Sequence, residues 1–516
     1  MTDKKSDHQV LVQSILQGKL DRALSNQPYD YIETHISSVI VSTQFVYKLK
    51  KPLNLGFLDF STLDKRHFYC DEELRLNQRL SPQLYMDVLA VYGSSAEPSF
   101  EASGEPIEYL LRMKPFVQTA QLDRLLKQGA LNREMMIAFA DYIADFHQSA
   151  KVVDRDHEYG NPDVIFQPMT ENFKQIRGLL KSDKVIQQLD QLQQWTESIG
   201  AALHPTLLHR KADGFIRECH GDLHLRNLAW LDEQPLAFDC IEFDPALYWI
   251  DVISDLSFLW MDLTLNQRAD LAWPLLNQYL SRSGDYAGLA VLDFYAVYRA
   301  MVRAKIAAIS FDQSKEQQAL QDVYAHLDLA QLFTETRSPV IYLMRGPSAS
   351  GKSTLSQQLL APLQAITLRS DIERKRLFGI EPQQNAADHP EQGIYSAEAT
   401  QKTYQHLLEL SSQILRNGYS VIIDATFSKP EQLRLFLDLA SAAGYQCVIL
   451  DLKVSESNLR QRIQQRQHDA SDADISILQH QLQHWQPLSE NESKYAVEID
   501  LNKPLDLSAI VQLVTS

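Results

Sequence analysis

The sequence predicts two domains, an α+β domain over residues 1–330 followed by an α/β domain with a parallel sheet over residues 336–516. Length sets the first limit, because 516 residues at roughly 100 to 200 residues per domain call for more than one core. The order of strands and helices along the chain is the second observation. Short strands and then helices fill the first part, whereas strands and helices alternate after about residue 335, as in a parallel sheet covered by helices.

The first part begins with strand patterns and ends with helical ones. HISSVIVSTQFVYKL (35–49) and IEYLLRMKPF (107–116) have the apolar, β-branched character of strands. The region after about residue 120 reads mostly as helix, up to KEQQALQDVYAHLDLAQLF (315–333). The segment TETRSP (334–339) then marks the seam between the two parts.

The second part alternates strictly between strands and helices. In order, its segments are strand VIYLM, helix STLSQQLLAPL, strand AITL, helix EATQKTYQHLLELSSQILRNG, strand YSVIID, helix PEQLRLFLDLASAAG and strand QCVILDLKV. Helices between successive strands are the crossover connections that parallel strands need.

Composition excludes several classes of function. The chain has 49 Lys and Arg against 66 Asp and Glu, a net charge of -17, which disfavours broad attraction to nucleic acid or to an anionic membrane. We find no signal peptide and no apolar run long enough to span a membrane, so a cytoplasmic protein is expected. The four cysteines have no CxxC spacing, which favours buried thiols over disulfides or a cysteine zinc site.

A phosphate-binding loop follows the strand VIYLM and leads directly into a helix. Glycines let the backbone wrap around phosphates, Lys352 would reach the outer phosphates, and Ser353 would offer a hydroxyl to Mg²⁺. The first eight of the following residues match GxxxxGK[ST], and the ninth continues into the helix: Gly346, Pro347, Ser348, Ala349, Ser350, Gly351, Lys352, Ser353 and Thr354.

Carboxylates end the next two strands of this part. Asp371 follows AITL and could accept a proton from an attacking hydroxyl; the alternative is a helix N-cap. Asp424 ends YSVIID, where it would orient Mg²⁺, and no adjacent Asp-Glu pair of a hydrolase accompanies it. Arg462 and Arg466 are four residues apart on one helical face, suited to closing over phosphates, or else they form a solvated face.

This part resembles the small P-loop kinases of the polynucleotide-kinase, zeta-toxin and gluconate-kinase type. The resemblance implies that Asp371 and Arg374, as a DxxR motif, supply the hydroxyl-activating carboxylate and a substrate-side cation. It likewise implies that Asp424 belongs to a DxT motif and that Arg462 and Arg466 form a lid RxxxR.

A second constellation lies in the first part, at HGDLHLRN (220–227). Phosphoryl transfer without a P-loop needs a carboxylate at the acceptor hydroxyl and oxygen ligands for Mg²⁺. Asp222, Asn227 and the downstream Asp239 supply all three, and LAWL and PLAF read as a hairpin that would place Asn227 beside Asp239. The alternatives are a polar turn or a zinc site from HxDxH, which leaves the spacing of Asn227 and Asp239 unexplained.

This loop resembles that of the aminoglycoside and choline phosphotransferases, which have a bilobal, kinase-like fold. The resemblance implies that Asp222 is the catalytic base and that Asn227 and Asp239 bind metal. Upstream, Lys48 is the candidate for the lysine over the α- and β-phosphates, with Glu73 as its ion-pair partner. Their neighbours Lys50, Lys51 and Glu72 compete for these two roles.

The acidic residues after Asp239 have two interpretations. Glu242 and Asp244 could serve a second metal or the substrate, or could cap the following helix. Asp251 and Asp255 are expected to support the catalytic loop rather than take part in chemistry. The domain departs from the kinase pattern in one respect, because no GxGxxG precedes Lys48 and HISSVIVSTQ has no glycine at all.

As a whole, the chain resembles bacterial two-domain proteins in which an aminoglycoside-phosphotransferase-like domain is fused to a P-loop kinase domain. ETHIS (33–37), YKLKKPLNLGFLDFSTLDKR (47–66), HGDLHLRN and GPSASGKST carry this resemblance. It implies an ATP- and Mg²⁺-dependent phosphotransferase that acts on a small-molecule hydroxyl. Two alternatives stay open: a nucleotide-dependent sensor with a pseudokinase first domain, and a polynucleotide 5′-hydroxyl kinase, which the overall acidity disfavours.

Overall fold

A computed structural model describes residues 2–20, 29–56, 58–380, 394, 396–465 and 475–515. These residues form two compact units. The first unit comprises Met1–Asp262 and Phe294–Ala330, and the second comprises Leu263–Asp293 and Gln331–Ser516. Among the described residues, no helix combines the length and the apolar character that crossing a bilayer requires.

The first unit contains an antiparallel sheet of six strands in the order β1-β2-β3-β6-β4-β5. Two short antiparallel pairs follow later in the chain, β7 with β10 and the hairpin of β8 with β9. The strands of this unit are β1 Asp30–Glu33, β2 Ser37–Val41, β3 Val46–Lys50, β4 Tyr85–Gly93, β5 Pro98–Ser99, β6 Glu108–Met113, β7 Ile216–Glu218, β8 Leu228–Leu231, β9 Gln234–Ala237 and β10 Trp249–Asp251.

Helices pack around this sheet and make up the rest of the first unit. They are α1 Thr2–Leu16, α2 Leu63–Gln78, α3 Leu122–Lys127, α4 Arg133–Ser149, α5 Pro162–Leu179, α6 Asp183–Ala212, α7 Val252–Leu265, α9 Leu289–Ser314 and α10 Gln317–Leu332, the last three of which reach into the second unit. Leu11 and Ile15 of α1 pack against Ile40 and Tyr47 of the sheet. Thr62 caps α2 by accepting a hydrogen bond from the Lys65 amide, which fixes where this helix begins.

The second unit is built on a parallel sheet in the order β12-β13-β11-β14-β15. Its strands are β11 Val340–Arg345, β12 Ala365–Arg369, β13 Ser420–Asp424, β14 Gln446–Lys453 and β15 Ala496–Asp500. The central strands are buried on both faces, which explains their continuous apolar runs. The α+β and parallel α/β classes predicted for the two parts are confirmed.

Helices follow each strand of this sheet. They are α11 Lys352–Leu363, α12 Ser370–Leu377, α13 Ala397–Arg416, α14 Pro430–Ala443, α15 Glu456–Gln465, α16 Ile475–Gln483, α17 Glu490–Ser493 and α18 Leu507–Thr515. One helix of this unit, α8 Ala269–Ser283, comes from far upstream in the chain. Its Asn277 side chain donates to the Ala365 carbonyl over 3.1 Å and accepts from the Thr367 amide over 2.7 Å, both on β12.

Candidate active sites

A short hairpin brings two predicted metal ligands of the first unit together. Strands β8 and β9 pair Leu228 with Ala237, and beyond that pair the Phe238 amide donates to the Asn227 carbonyl over 3.0 Å. Asn227 and Asp239 therefore flank the open end of the hairpin. Asp239 has a φ of +65°, a left-handed conformation that costs energy in any residue other than glycine and is often found at functional sites.

The Asp222 carboxylate lies beside the Asn227 side chain. Asn227 Nδ2 donates to Asp222 Oδ2 over 2.8 Å and to the Asp222 carbonyl over 3.0 Å. Both of these hydrogen bonds use the nitrogen of the Asn227 amide and not its oxygen. Burial favours a raised pKa for Asp222, but His224, His220 and Arg303 together lower the pKa below its usual value, so the carboxylate stays charged.

Asp255 on α7 binds the backbone of the loop that carries Asp222. Its two carboxylate oxygens accept from the His220 amide over 3.0 Å and the Gly221 amide over 2.8 Å. His147 Nε2 lies 3.1 Å from the same carboxylate. Burial opposes the charge, but His147 and His220, the latter also through its amide, lower the pKa of Asp255 to about 2. The expectation that Asp255 supports the loop is confirmed.

The zinc alternative for HxDxH does not fit this geometry. Both ring nitrogens of His220 already have partners: Nε2 lies 2.9 Å from the Phe238 carbonyl, and Nδ1 accepts from the Asp222 amide over 3.2 Å. A histidine ligand needs a free ring nitrogen. His220 is therefore a structural member of the loop.

Lys48 joins the sheet to the hairpin of the first unit. Its Nζ lies 2.7 Å from Glu73 Oε1 and 2.6 Å from Asp239 Oδ1. Glu73 lies on α2 and its side chain is fully buried, so the ion pair fixes where α2 sits against the sheet. The structure thus brings together Lys48, Glu73 and the predicted metal ligand Asp239.

A second lysine, Lys50, shares this network; the sequence offered it only as an alternative to Lys48. Lys50 Nζ lies 2.7 Å from Glu73 Oε2 and also contacts Glu242. Burial alone would raise the pKa of Glu73, but the two ammonium groups hold it well below its usual value. Glu242 is therefore an ion-pair partner of Lys50 in this structure.

The other acidic residues of this region have structural partners. Asp244 accepts from the Ala246 amide over 3.0 Å and caps a 3₁₀ turn, so the capping interpretation is confirmed for it. Asp251 forms a buried two-point ion pair with Arg210, at 2.6 and 2.9 Å.

The loops of the first sheet match the sequence in having no glycine-rich cover for the phosphates. The connections of β1 to β2 (34–36) and of β2 to β3 (42–45) contain no glycine.

In the second unit, the phosphate-binding loop lies between β11 and the first turn of α11. Gly351 has a φ of +98°, a backbone conformation that a residue with a side chain adopts only at a cost in free energy. Lys352 Nζ donates to the carbonyls of Gly346 and Pro347, each over 2.9 Å, so the ammonium lies inside its own loop. The helix dipole adds positive potential at the start of α11.

Ser353 and Asp424 meet at the carboxyl ends of β11 and β13. The register pairs Met344 with Asp424, and Ser353 Oγ donates to Asp424 Oδ2 over 2.6 Å. A hydroxyl and a carboxylate are oxygen ligands of the kind that Mg²⁺ prefers. The donor set at this point therefore fits the ion.

Asp371 lies in the first turn of α12, one position inside the helix. The N-cap is Arg369, so Asp371 does not cap this helix. Burial, followed by the nearby Asp424, raises the pKa of Asp371, which suits a group that accepts a proton. The guanidinium of Arg374 donates to the Ile394 carbonyl over 2.8 Å and to Thr400 Oγ1 over 3.2 Å.

Arg462 of α15 contacts the phosphate-binding loop from outside. Its Nη1 donates to the Ser350 carbonyl over 3.1 Å, and its Nη2 donates to the Leu501 carbonyl over 3.2 Å. Arg462 is thus bound to the backbone and is not part of a solvated face. Its predicted partner Arg466 lies outside the described residues.

A cleft of about 370 Å³ adjoins Pro347 of this loop. The end of β14, the first turns of α15 and the segment after α16 form its walls. Its side chains include Leu459, Trp485 and Asn502. This volume lies in the range of small-molecule sites.

Comparison with known families assigns both parts of the chain. The model of the Phosphotransferase enzyme family matches residues 63–294, and the model described as AAA domain matches residues 341–488. An uncharacterized protein of Mycobacterium tuberculosis (strain H37Rv) is 28% identical over 460 residues, which cover 88% of this chain and 90% of the relative. An uncharacterized protein of Mycobacterium bovis shows the same values.

Solved structures resemble one part of the chain each. A choline/ethanolamine kinase family protein from Mesorhizobium loti covers 63% of this chain and 94% of its own, at 11% identity and a TM-score of 0.42. A gluconokinase from Sinorhizobium meliloti covers 34% of this chain and 90% of its own, at 20% identity and a TM-score of 0.25. By its two family matches, the chain is a fusion of a phosphotransferase-family, kinase-like domain with a P-loop kinase-like domain of the AAA type.

Proposed function

We propose that the protein carries two phosphotransferase sites, each of which moves the γ-phosphoryl group of ATP to a hydroxyl of a small molecule. The observation that carries the proposal is the grouping in the first unit. There Asp222 is bonded to Asn227 at 2.8 Å, and Lys48 is paired with both Glu73 and Asp239. A base, two oxygen ligands and a phosphate-binding cation are the parts that this transfer requires.

The transfer in the first unit is a single displacement. The acceptor oxygen forms a bond to the γ-phosphorus, the bond from that phosphorus to the bridging oxygen breaks, and ADP leaves. Asp222 receives the acceptor proton, and its bond from Asn227 keeps one carboxylate oxygen oriented. Lys48 would exchange its contact with Asp239 for the α- and β-phosphates while Glu73 holds it in place.

In the second unit the same displacement would use other residues. Lys352 would leave the carbonyls of its own loop for the outer phosphates, and Asp371 would accept the proton of the acceptor. Asp424 is followed by Ala425 and not by a glutamate, which favours transfer to a hydroxyl over hydrolysis. The cleft at Pro347 has room for the remainder of a bound ligand.

Magnesium fits the donor sets of both units, namely Asn227 with Asp239 and Ser353 with Asp424. When bound, it would neutralise the charge of the phosphates. We place the reaction in the cytoplasm, where Mg·ATP is abundant.

Product labelling tests the proposal on the full chain. Mg·ATP labelled at the γ-phosphate is incubated with an ultrafiltered metabolite extract, and labelled products are separated by mass. We expect Asp222→Asn to lose one set of labelled products and Asp371→Asn to lose another. Asp312→Asn, a half-exposed surface residue, is the matched control. Identical products from the wild type and both active-site variants would contradict the proposal.

A second candidate function is a nucleotide sensor in which the first unit binds ATP without turnover. The absence of glycine from the 34–36 and 42–45 connections favours it, because a glycine-rich cover brings backbone amides close to the phosphates. Calorimetry distinguishes the two. If Lys352→Ala protein still binds Mg·ATP but forms no label that depends on Asp222, the sensor is the better description.

A further inference from the structure

The helix that carries the proposed base of the second unit is short. Helix α12 has eight residues, Ser370–Leu377, and a helix of two turns needs tertiary contacts to hold its place. Asp371 lies in its first turn, and Glu373 and Arg376 follow. What fixes α12 therefore also fixes where Asp371 points.

Glu373 is the buried anchor of this helix. Its side chain is fully buried; two residues hydrogen-bond to it and a third lies nearby. Tyr286 donates its hydroxyl proton to Glu373 Oε1 over 3.0 Å, Arg376 Nε lies 3.1 Å from Oε2, and His406 Nε2 lies 3.4 Å from the same oxygen. A buried carboxylate without such partners would be costly.

Tyr286 comes from the upstream segment of the second unit. It begins a 3₁₀ turn, Tyr286–Gly288, which Asp285 caps by accepting from the Gly288 amide over 3.0 Å. Burial and the Glu373 carboxylate raise the pKa of Tyr286 well above its usual value, so its hydroxyl stays a donor. Arg376 also donates to the Ser281 carbonyl, which ties the last turn of α12 to the same segment.

We infer that Tyr286 is a positioning residue for the P-loop site, because it holds Glu373 and thereby orients the helix on which Asp371 stands. The inference rests on the proposed function of Asp371. It assigns a role in the second site to a residue that lies inside the Phosphotransferase enzyme family match, at 63–294. Residues 263–293 belong, by their contacts, to the second unit.

The test is Tyr286→Phe in the full chain, which removes one hydroxyl and keeps the ring. Amide hydrogen exchange of the 370–377 peptide should become roughly 10-fold faster or more, as expected when a hydrogen bond to a charged group is lost. Glu373→Gln should accelerate it at least as strongly, because Arg376 also loses its charged partner. Tyr342→Phe, a buried tyrosine of β11, is the control and should leave this peptide unchanged.

A kinetic readout separates positioning from mere packing. With the metabolite extract as acceptor pool, we expect Tyr286→Phe to lower kcat for the Asp371-dependent label by roughly 10-fold, while calorimetric affinity for Mg·ATP stays the same. Unchanged exchange, equal acceleration in Tyr342→Phe, or unchanged kcat with accelerated exchange would each overturn the inference. If the wild type forms no Asp371-dependent label, the proposed function fails, and the exchange result alone decides whether Tyr286 orients α12.

Discussion

Replacing Asp255 with asparagine should destabilise the catalytic loop of the first unit. Asp255 accepts hydrogen bonds from two consecutive amides, those of His220 and Gly221. Asparagine keeps one acceptor oxygen and turns an NH₂ group toward the other amide, so that one buried donor loses its partner. A pKa that falls from 3.8 to about 2 corresponds to about 2 kcal/mol of stabilisation, since one pKa unit equals about 1.4 kcal/mol.

The direction of the pKa shift determines how the stability difference between variant and wild type changes with pH. The pKa of Asp255 is depressed in the folded state, so its contribution is present above the unfolded value and is lost as the pH falls through about 2. We therefore expect the Asp255→Asn variant to be at least about 2 kcal/mol less stable than the wild type at neutral pH. Below about pH 4 the difference between the two proteins should shrink.

Equilibrium urea unfolding of the full chain, followed by circular dichroism at neutral pH and at about pH 3, measures this difference. Asp312→Asn serves as the control, because its carboxylate is half exposed and surface substitutions usually change stability by less than about 0.5 kcal/mol. Two results would refute the reasoning. One is an Asp255→Asn variant as stable as the control at neutral pH, and the other is a difference that stays the same at about pH 3.

Three further substitutions test the sites themselves. Lys48→Met removes the cation between Glu73 and Asp239. We expect roughly 10²-fold slower turnover in the first unit, measured as the label that depends on Asp222. Unchanged turnover would mean that Lys48 is only structural. Lys352→Ala should abolish Mg·ATP binding by the second unit in calorimetry while Asp222-dependent label persists, and loss of both activities would contradict two separate sites. Asp424→Asn replaces the carboxylate that accepts from Ser353 by an amide. It should raise the Mg²⁺ concentration for half-maximal Asp371-dependent turnover by about 10-fold. An unchanged Mg²⁺ titration would mean that Asp424 is not a metal ligand.

The local motifs could be predicted from the sequence because neighbouring residues determine them. A glycine-rich loop between a strand and a helix has few alternative conformations, and the P-loop of the second unit lies where the spacing places it. The hairpin after Asn227 is equally local. In both cases the chain itself brings the groups together within a few residues.

Long-range partners could not be predicted in the same way. Glu73 accepts both Lys48 and Lys50. The alternation along β3 puts the two lysines on one face of the strand, but it does not identify the distant carboxylate on α2 that both of them reach. Tyr286 lies in a helix-rich region whose periodicity indicates only a core residue, yet it reaches Glu373. Such contacts depend on how elements far apart in the chain pack, which periodicity does not encode.

Asn277 has a consequence for the edge of the parallel sheet in the second unit. β12 is a terminal strand of its sheet, and unpaired backbone groups on such a strand can recruit a strand from another molecule. The amide of Asn277 satisfies one carbonyl and one N–H of β12, much as a neighbouring strand would. A fragment that starts at residue 336 lacks Asn277, so we expect it to self-associate more readily than the full chain does.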